Sequence, residues 1–128
     1  MRIAFVSDLH NSLFGKGQTE LINAIELAKP DIVIFGGDLA DKTQDCLPEN
    51  SYILVKYLVK RYPCFYTIGN HENARGDSAR IKQQMADFGV TVLEGNGTVI
   101  DVKGNEIEIC GIYDAHTYDE VNGELVNQ

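Results

Sequence analysis

"DIVIFGGDLAD", Asp31–Asp41, is the stretch on which the fold turns. It begins as an unbroken apolar run, the pattern of a short strand buried on both faces of a sheet. Two glycines follow, which let the backbone turn sharply and are expected to leave Asp38 exposed at the strand's tip. A strand that delivers a carboxylate to one edge of a sheet invites a search for neighbours doing the same.

Working outward, "RIAFV" before it and "CFYTI" after it read as two more strands of the same kind. The first gap holds "QTELINAIELAK", with Leu21, Ala24, Ile25 and Ala28 on one helical face and Pro30 as a stop. The second holds "ENSYILVKYLVKRY", with Leu54, Val55, Leu58 and Val59 on one stripe before Pro63. The order is β-α-β-α-β, for which a parallel sheet with right-handed crossovers is expected. A third helix over Ser78 to Phe88 ends at Gly89, and "TVLEG" reads as a further strand. Beyond it, "GTVIDV" and "EIEICGI" flank Lys103-Gly104-Asn105 as a β-hairpin. The fold class is α/β, a parallel or mixed sheet with flanking helices, in a single domain spanning 1–128.

A net charge of −8 sets the surface against nucleic acid and anionic membranes, and no segment reads as a signal peptide or membrane span. Cys46, Cys64 and Cys110 form no CxxC pair and are odd in number, which suits a reducing compartment. They read as buried structural thiols, and the cytoplasm is the expected location.

Each parallel strand finishes in polar groups: "SDLHN", "GGDLAD" and "GNHEN". About thirty residues separate Asp8 from Asp38, and again Asp38 from Asn70, a natural length for a βαβ unit. Ligands of open parallel sheets sit beyond the carboxyl ends of the strands. Asp8, His10, Asp38, Asn70 and His71 are therefore expected at one rim. Asp8 and His10, two apart, would point to the same side of a strand, and a carboxylate with an imidazole suits a divalent transition metal. Asn70 offers a neutral carbonyl oxygen, and His71 a proton donor or a cation for a phosphate oxygen.

D-x-H, G-D-x-x-D and G-N-H-E, in this order and spacing, resemble the calcineurin-like metallophosphoesterase family over about the first 75 residues. The resemblance implies that Asp8 and His10 bind a first metal, Asp38 bridges two, and Asn70 binds the second. His71 would be catalytic, assisting at the phosphate without binding metal, and Asp41 would play a supporting part. It further implies two divalent cations (manganese, iron, zinc, cobalt or nickel) about 3.5–4 Å apart, activating water against a phosphomonoester or phosphodiester. The expected partner is a phosphorylated small molecule.

The family's remaining ligands, a histidine after another strand and a Gly-His-x-His motif, find no match among the three histidines here. His116 follows a strand but stands in a different neighbourhood. The expectation is thus the amino-terminal half of the family's α/β/β/α sandwich, truncated on the carboxy-terminal side, with an incomplete second metal site. An apolar sheet face left uncovered would favour a homo-oligomer. The rival expectation is a non-catalytic metal-binding or interaction module derived from the same fold. A receiver domain is disfavoured by the hairpin and by the absence of a lysine in "GIYDA"; "FGKGQTE" is no P-loop.

Overall fold

The computed structural model describes residues 1–113; His116 and the polar tail lie outside the described residues. Four parallel strands, β1 (Ile3–Val6), β2 (Ile32–Phe35), β3 (Cys64–Tyr66) and β4 (Thr91–Val92), pair in the order in which they occur. Between them run α1 (Thr19–Ala28), α2 (Glu49–Leu58), α3 (Asn70–Arg75) and α4 (Ser78–Phe88). β5 (Gly97–Val102) and β6 (Asn105–Cys110) form a separate antiparallel pair.

Sequential strand order sends every crossover the same way across the sheet. Right-handed crossovers then place all the helices on one face. The register agrees. Ala4, Val33 and Cys64 are neighbours across one row, and Val6, Phe35, Tyr66 and Val92 across another. These side chains share one core with Ile25, Leu54, Val55, Leu58, Ile81 and Met85 of the helices. The alternate residues, Ile32, Ile34 and Phe65, point to the opposite face, where the hairpin lies. They pack with Leu93, Ile100, Val102, Ile107 and Ile109. The hairpin therefore covers part of the face expected to be bare.

Its own pattern explains why. β5 alternates exposed and covered residues from Gly97 to Val102, so one face is apolar and the other solvated. The turn is Lys103-Gly104, both with positive φ (52° and 81°), and Asn105 already belongs to β6. Positive φ at both central residues is the type I′ geometry of a two-residue hairpin turn. Lys103 Nζ reaches Asp31 Oδ1 at 2.9 Å and ties the hairpin tip to the start of β2.

Several sequence expectations need correction. β2 and β3 are buried on both faces, but β1 is an edge strand whose Ile3 and Phe5 are exposed, Phe5 by 66%. The hairpin covers the middle of the sheet and does not reach them. α1 buries Ile22 and Ile25, whereas Ala24 and Ala28 face solvent. Of the thiols only Cys64 is buried, its pKa pushed up to about 12 by desolvation; Cys46 and Cys110 are exposed. "GNHE", read as the end of a strand, opens α3, with Gly69 as its cap.

The buried phenols Tyr52 and Tyr66 have hydroxyls with no hydrogen-bond partner among the described residues. Burial pushes the Tyr52 pKa up to about 12 and that of Tyr66 well above its ordinary value. A buried hydroxyl without a partner carries its desolvation cost uncompensated. Tyr66→Phe is therefore expected to leave stability unchanged or to raise it by about 1 kcal/mol, read from urea denaturation midpoints. A loss of about 2 kcal/mol or more would show that the hydroxyl is partnered.

Candidate metal centre

The site begins where the strands stop. β1 ends at Val6, so strand alternation does not set the Asp8 and His10 side chains, contrary to the sequence reading. Asp8, His10 and Asn11 have φ of 58°, 49° and 58°, and Asp38 after β2 has φ 54°. Left-handed backbone is costly for residues with a side chain, and Asp, Asn and His tolerate it best among them. Three backbone bonds hold the first loop against the second: Asp8 N–H to Gly37 O (3.2 Å), His10 N–H to Asp38 O (2.9 Å) and Asn11 N–H to Leu39 O (2.8 Å). The parallel ladder thus continues as a clasp between loops.

The second and third loops approach still more closely. A Cβ built on Gly37, whose φ is +94°, would stand 2.6 Å from the Gly69 nitrogen. A Cβ on Gly69 would overlap the Asp38 carboxylate and amide. Glycine is needed at both positions because backbone presses on backbone.

Glu72 occupies the junction, fully buried. Its Oε1 accepts the N–H groups of Leu39 (2.6 Å) and Ala40 (3.0 Å). Its Oε2 accepts those of Asp38 (2.9 Å) and Gly69 (3.0 Å). The bond to Gly69 is also the helix cap, since Glu72 stands at the third position of α3. Ser51 adds a tie from α2, its hydroxyl donating to Leu39 O at 2.6 Å.

Asp38, expected to be exposed, is only 8% so, because the loops close around it. Its Oδ1 accepts the His71 N–H at 2.9 Å. Ligand atoms of His10, Asp38 and His71 all lie within 4.8 Å of one another. Ligands of one tetrahedral cation stand about 3.4 Å apart at bond lengths near 2.1 Å. A side-chain movement on the order of 1 Å would close His10 and Asp38 onto one ion, with His71 beside it. His10 Nε2 lies 3.8 Å from Asp8 Oδ1, which brings a second carboxylate to the cluster. Two carboxylates and the His10 imidazole make a donor set that suits a first-row transition metal, so the residues present fit a divalent cation.

The rings of His10 and His71 meet edge to face, 4.3 Å between centroids. His71 Nδ1 accepts the Lys42 N–H at 3.2 Å, so the proton of the neutral ring sits on Nε2. Asn70 is exposed at the first position of α3. The Asp41 carboxylate turns back on its own loop, accepting the Thr43 N–H (2.9 Å) and hydroxyl (2.8 Å); those two bonds lower its pKa. Arg75 pins the far end of that loop, donating to Asp41 O and Cys46 O while paired with Asp77. Sequence reasoning passed over Glu72. The one signal available was its place three residues after a glycine that opens a helix.

A family model for calcineurin-like phosphoesterases matches residues 1–127 of the chain. The chain belongs to that family. The match extends well past the 75 or so residues that carry the three motifs. No curated protein and no solved structure matches the chain. Membership accounts for the parallel sheet with polar groups at its carboxyl edge and points to a phosphoesterase-type function. No helix among the described residues is long and apolar enough to cross a membrane.

Because the added methyl would overlap Asp38, Gly69→Ala is expected to destabilise the protein by about 1–3 kcal/mol, the usual cost of overpacking. The same change should weaken binding of Mn(II). Chemical denaturation and titration calorimetry measure the two effects, and a variant unchanged in both would contradict the close approach of the loops.

Proposed function

We propose that this protein is a metal-dependent phosphoesterase, hydrolysing a phosphomonoester or phosphodiester of a small molecule. The observation that carries the reading is the convergence of His10, Asp38 and His71, from three separate loops, within 4.8 Å at the carboxyl edge of the sheet. Family membership supplies the reaction class. The net charge of −8 supports a small substrate over a long polyanion.

Asp8, His10 and Asp38 are assigned to hold the first divalent cation, and Asp38 with Asn70 the second. Bound cations would polarise a phosphoryl oxygen and lower the pKa of a water nucleophile. The chain's own residues prepare the rest. Asp38 Oδ1 is engaged by the His71 amide, which orients the carboxylate and leaves Oδ2 for coordination. The Ser7 hydroxyl donates to Asp8 Oδ2 at 2.6 Å and leaves Oδ1 on the side of His10. The Lys42 amide occupies His71 Nδ1, so His71 acts through Nε2–H, as a donor to a phosphoryl oxygen or to the departing oxygen.

Turnover of p-nitrophenyl phosphate or bis-p-nitrophenyl phosphate with Mn(II) tests the reading. Asp38→Asn should lower kcat/KM by at least about 100-fold, the scale of losing a principal electrostatic element, and a chelator should abolish activity reversibly. Metal binding without turnover under manganese, iron, zinc, cobalt or nickel would favour the rival reading, a non-catalytic metal-binding module.

A further inference from the structure

We propose that Glu72 is the positioning residue of the metal site, and that its buried carboxylate holds Asp38 in ligand geometry with His71 beside it. This rests on the metal-dependent reading above. An ionised carboxylate is an acceptor with about four lone-pair sites. Here each oxygen takes two amides: Leu39 and Ala40 on Oε1, Asp38 and Gly69 on Oε2. With that capacity used, Glu72 is not itself a metal ligand, although it belongs to the same short helix as His71.

Its neighbours close a ring. The Glu72 carboxylate accepts the Asp38 amide, and the Asp38 carboxylate accepts the amide of His71, the residue next to Glu72. Asp38 and the pair His71-Glu72 thus grip each other through one side chain from each side. The grip falls on a residue whose φ of +54° a free chain would seldom hold. Three of the four amides belong to consecutive residues 38–40, so the carboxylate fixes the backbone from which Asp38 projects. Among the described residues no ion pair involves Glu72, and the desolvation of its charge is offset by these charge-assisted bonds.

The test separates positioning from bulk stability. Glu72→Gln keeps the shape but turns an NH2 group toward amides that are also donors. Hydrogen exchange at the amides of Asp38, Leu39, Ala40 and Gly69 should quicken selectively. Mn(II) affinity of the folded variant should fall by about 10–100-fold, the range for groups that orient metal ligands. Val102→Ala in the hairpin serves as control: it lowers the melting temperature but should leave Mn(II) affinity within about twofold, since it belongs to the separate apolar cluster between sheet and hairpin. Should Glu72→Gln not fold, Glu72→Asp keeps the charge with a shorter reach and is expected to show the same selective loss.

A folded Glu72 variant with wild-type Mn(II) affinity, or with unchanged protection at the four amides, overturns the proposal. A wild-type protein that binds no Mn(II) removes the metal reading instead. Amide exchange then still decides whether Glu72 organises the loops.

Discussion

The Glu72 carboxylate, sealed among four backbone amides, is the constraint on which the carboxyl edge of this sheet depends. Beyond the strands the ladder bonds use N–H groups of the first loop and carbonyls of the second, so the buried N–H groups of the second and third loops need acceptors from elsewhere. One side chain supplies acceptors to four of them, drawn from two loops. A buried charge without a counter-ion is normally a liability. Amide dipoles aimed at it from two loops make it the point at which those loops are joined. Gly37 and Gly69 follow from the same closeness, because a carboxylate can span the two loops only if the backbones meet.

The sheet beneath explains why the loops are available at all. All four strands run the same way and in sequential order, so their carboxyl ends form one rim. The helices gather on one face and the hairpin on the other, which leaves that rim open among the described residues. Apolar burial on both faces fixes β2 and β3 firmly, each large side chain contributing about 1.5–3 kcal/mol. The loops of Asp38 and His71 are therefore mounted on the most deeply buried strands. Asp8 and His10 come from the edge strand and rely on the backbone bonds to Gly37, Asp38 and Leu39.

Much of the chemistry at the rim is decided by backbone atoms. The Lys42 amide selects the His71 tautomer, the His71 amide orients Asp38, and main-chain bonds bring the first loop beside the second. None of these contacts depends on the side chain of the residue that donates. They arise where residues about thirty positions apart are brought together, so no local sequence pattern announces them.

The sequence by itself determined the alternation of strands and helices, the hairpin, and the assembly of Asp8, His10, Asp38 and His71 at one edge. Periodicity and punctuation by Gly and Pro are local signals, and strand-end residues of a parallel sheet have only one place to go. Tertiary structure decided what pairing across distance decides: Phe5 lies open on an edge strand, and Asp38 is buried in a left-handed turn. It also made Glu72, to all appearances one more polar residue in "GNHEN", the residue that binds two loops. A side chain's partners, unlike its periodicity, exist only once the chain has folded back on itself.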